Sequence, residues 1–175
     1  MLKTTDNFNE NEIQPVDLCL QAELDIQDIL GQILEIEKTG FSDCYSHNTL
    51  KEAYCNDNYD IFIMLYKNRV SGYIIAYSVL NESEILRVAV KEEFKRRNIG
   101  FALLSFAENS LKKRGIKYLI LECRVSNSPA LFLYEKVGFK RLGVRRNFYE
   151  NPVEDAIIMK KEIECLKYAC LVREE

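Results

Sequence analysis

Three apolar runs, rich in Ile, Val and Tyr, follow one another in the middle of the chain and are separated only by short polar turns. The runs cover residues 61–65, 73–80 and 85–90, and the turns between them fall at residues 67–69 and 81–83. Short polar turns between β-rich runs predict strands that pair as an antiparallel meander. The fold must therefore be built around a sheet.

On both sides of this meander the apolar residues change to a three- and four-residue spacing, which is typical of amphipathic helices. This spacing predicts a helix over residues 26–40 and a second, shorter helix over 46–54 with Ser46 as its N-cap. After the meander, it predicts a helix from residue 98 to 113 and another over 128–137.

The remaining β-like segments complete a mixed architecture. They cover residues 16–20, 118–124, 140–144 and 155–163. The predicted order is β-α-α-β-β-β-α-β-α-β-β, an α/β (α+β) fold with one mixed, mostly antiparallel sheet flanked by helices. A length of 175 residues fits one domain, which we assign to residues 15–163. Residues 1–14 are expected to form a poorly ordered extension and residues 164–175 a C-terminal tail.

Composition disfavours several classes of function. The six cysteines include no C-x-x-C pair and His47 is the single histidine, so neither a zinc site nor a histidine-based triad is expected. The net charge of -3 disfavours nucleic-acid binding. No window approaches the ~20 apolar residues of a membrane span, and no secretory signal is recognisable. We therefore expect a cytoplasmic protein with no metal.

A basic loop lies between the third run of the meander and the following helix. It reads K-R-R-N-I-G-F-A over residues 95–102. Unpaired N–H groups and the positive dipole end at a helix start bind anions, and Gly100 would let the backbone approach a phosphate. The alternative is a basic surface loop that caps an ordinary amphipathic helix.

This loop resembles the [QR]-x-x-G-x-[GA] pyrophosphate loop of the GNAT acetyltransferases, with Lys95 and Asn98 in place of the usual Gln or Arg and the first Gly. Asn tolerates positive φ, so the turn should survive the second change. Residues 127–139 match the family pattern N-x-x-A-x-x-L-Y-E-x-x-G-F. The segments L-E-x-R-x-S-N and R-R-N-[FY]-Y…E-D-A-I-I-M are similar to those of the RimI type, the ribosomal-protein-alanine N-acetyltransferases. The superfamily pattern covers residues 16–163.

The resemblance implies a GNAT fold and acetyl-CoA as the acetyl donor. It implies that the backbone of the third run binds the pantetheine arm, that the basic loop and the helix start bind the pyrophosphate, and that an Asn after the buried strand also contacts the cofactor. The corresponding residues are Val88, Ala89 and Val90, then Arg96, Arg97, Asn98, Ile99, Gly100 and Phe101, and finally Asn127.

Two side chains are candidates for proton transfer. Glu122 interrupts an otherwise apolar strand, and a carboxylate at a strand end that faces a cleft is a candidate general base. The alternative for Glu122 is a structural ion pair with Arg124 or Arg145. Tyr134 has the spacing of a core aromatic residue, but the resemblance implies that it points at the thioester sulfur as a general acid.

The resemblance also suggests where the acceptor amine binds. Residues 41–46, F-S-D-C-Y-S, lie where the RimI type often has F-x-x-P-W-S, so that Cys44 and Tyr45 replace Pro and Trp. Residues 145–149 would form the opposite wall, unless they are only an exposed hairpin tip. We predict that Tyr45 and Tyr149 bind the acceptor.

The resulting hypothesis is direct transfer of an acetyl group to the N-terminal α-amine of a protein, possibly a ribosomal protein. An α-amine has a pKa of roughly 7.7 to 8, against ~10.4 for Lys, so a carboxylate suffices as the base. One alternative is acetylation of a lysine side chain or of a small amine. The other is a non-catalytic regulator that binds acyl-CoA, which the presence of both Glu122 and Tyr134 disfavours.

Overall fold

The computed structural model describes residues 8–21 and 24–163 and contains one seven-stranded sheet with the strand order β1-β2-β3-β4-β5-β7-β6. The strands are β1 Ile13–Asp17, β2 Tyr59–Tyr66, β3 Arg69–Val79, β4 Glu82–Val90, β5 Tyr118–Arg124, β6 Lys140–Glu150 and β7 Val153–Glu162. The helices are α1 Ile26–Gly40, α2 His47–Tyr54, α3 Ile99–Lys113 and α4 Ser128–Val137. The predicted order of helices and strands and the fold class are confirmed.

Helices cover both faces of the sheet, which explains why its central strands are apolar on both sides. On one face, α1 and α2 pack on β2 and β3 around a cluster that includes Leu30, Ile33, Ile61 and Ile75. On the other face, α3 and α4 enclose a second cluster with Phe62, Leu103, Leu119 and Met159. Burying an aliphatic side chain of this size is worth about 1.5–3 kcal/mol, so the two clusters hold the layers together.

The centre of the sheet contains a split between β4 and β5. These two strands are parallel, and they pair only where Glu82–Ile85 lies beside Tyr118–Leu121. A register shift in the pairing of β3 with β4 leaves Leu86 as an extra residue directly after this segment. Such a bulge bends and twists a strand. The rest of β4 consequently diverges from β5.

The first strand begins at Ile13, so the predicted strand over residues 16–20 was placed three residues too late. The Asp17 carboxylate ends β1 because it accepts a hydrogen bond from Cys19 N at 3.3 Å and pairs with Arg114. Leu18–Leu20 then forms a 3-10 turn. The predicted domain start at residue 15 falls inside β1, whereas residues 1–7 of the predicted extension and the whole predicted tail lie outside the described residues.

Strand β6 continues to Glu150, so the prediction that it ends at residue 144 was wrong, as was the alternative of a hairpin tip at residues 145–149. The tip lies instead at Asn151–Pro152, between β6 and β7. A register shift between Arg145 and Tyr149 makes the strand irregular there, and Asn147, at φ 50°, donates its N–H to Asp155 Oδ1 at 2.8 Å. The polar side chains that suggested a turn belong to this irregular stretch.

Candidate active site

The split leaves one edge of β4 without a partner strand among the described residues. On its other edge, Val88, Ala89 and Val90 pair with Ile74, Tyr73 and Gly72 of β3. All three residues are half-buried, and their remaining backbone groups face the space between β4 and β5. An extended chain of amides can add to such an edge as an extra strand would.

The basic loop joins the end of β4 to the start of α3. Asn98 adopts the left-handed conformation at φ 58°, as its predicted tolerance of positive φ allows, and Arg96 has φ 61°. Ala102 N donates to Asn98 O at 3.0 Å, but none of the backbone N–H groups of residues 96–101 donates to another described residue. Several free N–H groups at the positive end of a 15-residue helix are suited to an anion.

The two arginines of this loop have different surroundings. The side chain of Arg96 is exposed and makes no hydrogen bond or ion pair with the other described residues. The Arg97 guanidinium lies 4.5 Å from the centre of the Phe8 ring and 5.9 Å from that of Phe94. The guanidinium of Arg96 is therefore exposed to solvent, whereas that of Arg97 is oriented by its contact with Phe8 in the N-terminal segment.

The start of α3 also packs closely against α4. A Cβ atom on Gly100 would lie 3.0 Å from Leu133 Cδ2, tighter than an ordinary contact. Phe101 lies 5.3 Å from Lys136 Nζ of α4. At the start of α4, Asn127 Oδ1 accepts a hydrogen bond from Ala130 N at 3.2 Å. Asn127 therefore caps the helix that carries Tyr134.

Glu122 lies on β5 just beyond the segment that pairs with β4. Its side chain is 17% exposed, and its carboxylate accepts a hydrogen bond from Arg145 Nη1 at 3.1 Å. The ion pair considered as an alternative role is thus formed with Arg145. Arg124 instead pairs with Glu154 at 3.2 Å. A carboxylate that is partly exposed beside the split can be reached by a substrate.

Tyr134 is buried on α4, and its ring meets Phe139 edge-on with the centroids 5.9 Å apart. Its hydroxyl makes no hydrogen bond to another residue in the described part of the chain. Burial, and secondarily the neighbouring Cys123 and Tyr149, raise the pKa of Tyr134. The phenol therefore stays protonated at neutral pH and keeps a proton to donate.

Tyr149 lies on β6, where it is opposite Glu154 of β7. The Arg124 guanidinium lies 4.0 Å from the centre of its ring and also donates to Asn151 O at 3.1 Å, so that it ties the ring to the β6–β7 turn. Burial, followed by Cys123 and the negative charge of Glu122, raises the pKa of Tyr149 to about 12. Tyr149 is thus held against Arg124 close to the β6–β7 turn.

Tyr45 lies on the α1–α2 loop, where the backbone N–H of Tyr45 donates to Glu37 Oε2 at 2.8 Å. The Arg87 guanidinium lies 4.5 Å from the centre of the Tyr45 ring. The positive charge of Arg87 lowers the pKa of both Tyr45 and Tyr149, although burial raises both overall. Arg87 therefore contacts the proposed acceptor wall that Tyr45 forms.

Neither Glu37 nor Arg87 was predicted as a site residue. Both had a signal in the sequence. Glu37 continues the three- and four-residue spacing of Leu30 and Ile33, which places a carboxylate on the buried side of α1. Arg87 interrupts an apolar run in the same way as Glu122 does. A charge at a buried position of a regular pattern indicates a partner or a function.

Within the described residues, no helix is long and apolar enough to cross a membrane. The same part of the chain contains no cluster of three His, Cys, Asp or Glu side chains that could hold a metal ion.

Comparison with known proteins agrees with this geometry. The sequence model of the acetyltransferase (GNAT) family matches residues 30–139. The [ribosomal protein bS18]-alanine N-acetyltransferase of Haemophilus influenzae is 33% identical over 131 residues, which are 73% of this chain and 88% of that protein. Its counterpart from Escherichia coli K12 is 37% identical over 105 residues, which are 59% of this chain and 71% of that protein.

Solved structures give the same result. The crystal structure of the ribosomal-protein-S18-alanine N-acetyltransferase from Escherichia coli superposes with a TM-score of 0.77 at 29% identity, covering 91% of this chain and 99% of that one. A GNAT acetyltransferase from Elizabethkingia anophelis with acetyl-CoA bound shares the fold at 23% identity, with a TM-score of 0.67 over 88% of this chain and 100% of that one.

A split sheet with a free strand edge, a helix start with unpaired N–H groups and a partly exposed carboxylate are parts that an acyl-CoA-dependent transferase can use. The chain belongs to the GNAT acetyltransferase family. Within that family it is an acetyl-CoA-dependent N-acetyltransferase that resembles the RimI type.

Proposed function

We propose that this enzyme acetylates the N-terminal α-amine of a protein, and that the acceptor is a ribosomal protein of the bS18 kind. The names of its relatives specify alanine of bS18 as their acceptor. The observation that carries the proposal is the partly exposed carboxylate of Glu122 beside the split, with the buried Tyr134 on α4, the helix that follows β5. An acceptor on ribosomes also implies that the enzyme works in the cytoplasm.

The donor would bind along the split. The pantetheine arm would bond to the free edge of Val88, Ala89 and Val90. The pyrophosphate would lie on the free N–H groups of residues 96–101 beside Arg96 and Arg97. Asn127, whose Oδ1 already caps α4, would present its amide N–H₂ group to the cofactor. No metal takes part in this proposal.

The acetyl group would pass directly from sulfur to nitrogen. The neutral α-amine attacks the thioester carbonyl carbon, a C–N bond forms and the C–S bond breaks. Glu122 accepts the proton that the amine must lose, either directly or through a water. Tyr134 donates its hydroxyl hydrogen to the leaving thiolate, so that the products are an N-acetyl amide and free CoA. The proton held by Glu122 then passes through water to the Tyr134 phenolate, which returns both side chains to their starting states. The chain supplies the base, the acid and the alignment.

The acceptor would enter between the loop that carries Tyr45 and the strand that carries Tyr149. Two aromatic walls form a slot that suits an extended backbone end better than a side chain in the middle of a peptide. Phenol hydroxyls can also bond backbone amides, which favours a peptide over a polyamine. Acetylation of a lysine side chain or of a small amine is the competing function.

A panel of synthetic peptides separates these functions. Purified enzyme is given acetyl-CoA and a bS18-type N-terminal peptide, the same peptide blocked at its α-amine but with a free Lys, and spermidine as a small amine. Mass spectrometry then locates the acetyl group. We expect acetylation at the free α-amine and at most slow reaction with the other two. Equal rates for the blocked and the free peptide would show that the N-terminal assignment is wrong.

A further inference from the structure

A cluster of polar and aromatic contacts, buried at Glu37 and exposed at Asp43, connects the acceptor loop to the donor strand. We call it the Arg87 cluster, because Glu37, Asp43 and two aromatic rings contact that side chain, and Tyr73 joins it through Glu37. It consists of Arg87 on β4, Glu37 on α1, Tyr73 on β3, and Phe41, Asp43 and Tyr45 on the α1–α2 loop. The proton transfers described above do not use any of these contacts.

At the inner end of the cluster lies a fully buried carboxylate. Glu37 is 0% exposed, and it accepts hydrogen bonds from Tyr45 N at 2.8 Å and from the Tyr73 hydroxyl. Arg87 Nε lies 3.7 Å from Glu37 Oε1 and is the cation that pairs with Glu37 within the described residues. A buried carboxylate is costly unless it is paired and hydrogen-bonded. Arg87 thus offsets the charge of Glu37 at ion-pair distance, although Arg87 Nε is buried and makes no hydrogen bond within the described residues.

At its outer end the same guanidinium holds the loop. Arg87 Nη2 donates to Asp43 O at 3.0 Å and to Asp43 Oδ2 at 2.9 Å. Its Cζ lies 4.5 Å from the centres of both the Phe41 and Tyr45 rings. One planar cation thus binds a backbone carbonyl, a carboxylate and two aromatic faces. Arginine is suited to such a site and lysine is not, because only the guanidinium is planar and forked.

Arg87 lies next in the chain to the residues that are proposed to bind the donor. It directly precedes Val88–Val90, the edge proposed to hold the pantetheine arm, and it follows the bulge at Leu86. The loop that it holds contains no proline, since Cys44 and Tyr45 stand where the RimI type often has Pro and Trp. A proline stiffens a loop by restricting the backbone. In this chain the contacts that order the loop come from Arg87 on β4 instead.

We infer that Arg87 is a positioning residue that holds the acceptor loop, and with it Tyr45, at a fixed place relative to the strand that binds acetyl-CoA. The inference rests on the proposed function, in that the loop forms an acceptor wall. It adds that a residue on the strand that binds acetyl-CoA, Arg87, determines the affinity for the acceptor. Arg87 itself touches neither the thioester nor the amine in this role.

The substitution Arg87→Lys tests this inference because it keeps a cation beside Glu37. It removes the paired hydrogen bonds to Asp43 and the stacking of the planar guanidinium on the two aromatic rings. We expect the KM for the peptide to rise roughly tenfold or more, since charge-assisted and cation–π contacts are both lost. Calorimetry should find the affinity for acetyl-CoA within about twofold of the wild type, since those contacts do not touch the donor. Arg69→Lys, at an exposed position on β3, is the matched control and should change neither value.

Hydrogen–deuterium exchange gives a readout that is independent of turnover. Arg87→Lys should speed exchange in residues 41–46 and leave β4 protected. Asp43→Asn, which leaves the Glu37 pair intact, should give a smaller change of the same kind, and it serves as the test if Arg87→Lys fails to fold. Unchanged loop exchange and unchanged peptide KM in the folded variants would overturn the inference. If the wild type prefers another amine, the proposed acceptor is wrong, and the KM for that amine tests Arg87 instead.

Discussion

Arg145 donates a hydrogen bond to the Glu122 carboxylate at 3.1 Å, and the two side chains differ in exposure, 58% for Arg145 and 17% for Glu122. Arg145 also lies 4.3 Å from the centre of the Phe148 ring. An ion pair with one partner this exposed contributes roughly 0–1 kcal/mol. An incoming ammonium group can therefore displace Arg145 at little cost.

The Glu122–Arg145 pair leads to a direct test of the base. Glu122→Gln should lower kcat by ~10²–10⁴-fold, because a general base is lost. Arg145→Ala breaks the same ion pair but leaves the carboxylate, so it should lower kcat by less than about tenfold. Steady-state rates at pH 7 measure both. Equal losses in the two variants would favour the purely structural ion pair. The Glu122→Gln defect should shrink at high pH, where the acceptor amine is already neutral.

Removal of the Tyr134 hydroxyl tests the acid. Tyr134→Phe should lower kcat by ~10²-fold or more and leave the affinity for acetyl-CoA nearly unchanged, since only proton donation to the leaving thiolate is lost. Because the pKa of Tyr134 is raised by burial, its deprotonation should not limit the wild-type rate below about pH 10. A pH–rate profile checks the second point. Wild-type turnover in the Phe variant would mean that another group protonates the sulfur.

Charge reversal in the basic loop tests the anion site. Arg96→Glu combined with Arg97→Glu should weaken CoA binding by at least about 100-fold, since each phosphate contact is worth ~1.5–3 kcal/mol. The matched control is Lys112→Glu with Lys113→Glu, which makes the same charge change in the last turn of α3. Calorimetry should find nearly normal CoA affinity in the control. Equal affinities in the two double variants would refute the loop assignment.

Tyr149 separates acceptor binding from donor binding. Tyr149→Ala removes the ring that packs on Arg124 and should raise the peptide KM roughly tenfold, with the KM for acetyl-CoA nearly unchanged. Tyr149→Phe keeps the ring and loses the hydroxyl, so its effect should be smaller. If acetyl-CoA binding suffers as much as peptide binding, Tyr149 does not belong to the acceptor wall.

The buried phenols predict a loss of stability in alkali. Burial raises the pKa of Tyr73, Tyr134 and Tyr149, the last to about 12. Above about pH 10 these groups ionise more readily in the unfolded chain, so the unfolded state is favoured as the pH rises. The slope is at most about 1.4 kcal/mol per pH unit for each phenol. Denaturant unfolding from pH 8 to 11 measures it, and Tyr73→Phe should flatten the curve. A free energy of unfolding that stays constant to pH 11 would contradict this prediction.

Local periodicity predicted every helix and strand in the correct order, because alternating and helical spacing each follow directly from burial. It did less well where tertiary contacts decide the outcome. Asp17 ends β1 through Arg114, a residue far along the chain, and Asp155 shapes the irregular part of β6 from the neighbouring strand. Neither partner is visible from the local pattern.

The sequence predicted part of the candidate site, as it had predicted most but not all of the fold. Motif resemblance indicated Glu122 and Tyr134, and the structure has Glu122 partly exposed beside the split and Tyr134 buried on α4. The resemblance does not include the Arg87 cluster, since its partners come from α1, a loop and two strands. Only the charges at otherwise apolar positions, Glu37 and Arg87, indicated that such a cluster exists.

The short pairing between β4 and β5 has a mechanical consequence. It divides the sheet into two lobes that are joined in the sheet only where Glu82–Ile85 meets Tyr118–Leu121. One lobe carries Val88–Val90 and Tyr45, and the other carries Glu122, Tyr134 and Tyr149. The core cluster with Phe62, Leu103, Leu119 and Met159 packs the two lobes against each other, so the width of the split is set by this core and by the short paired segment. A coenzyme that bridges both lobes would act as a brace, setting the spacing at which the amine meets the thioester.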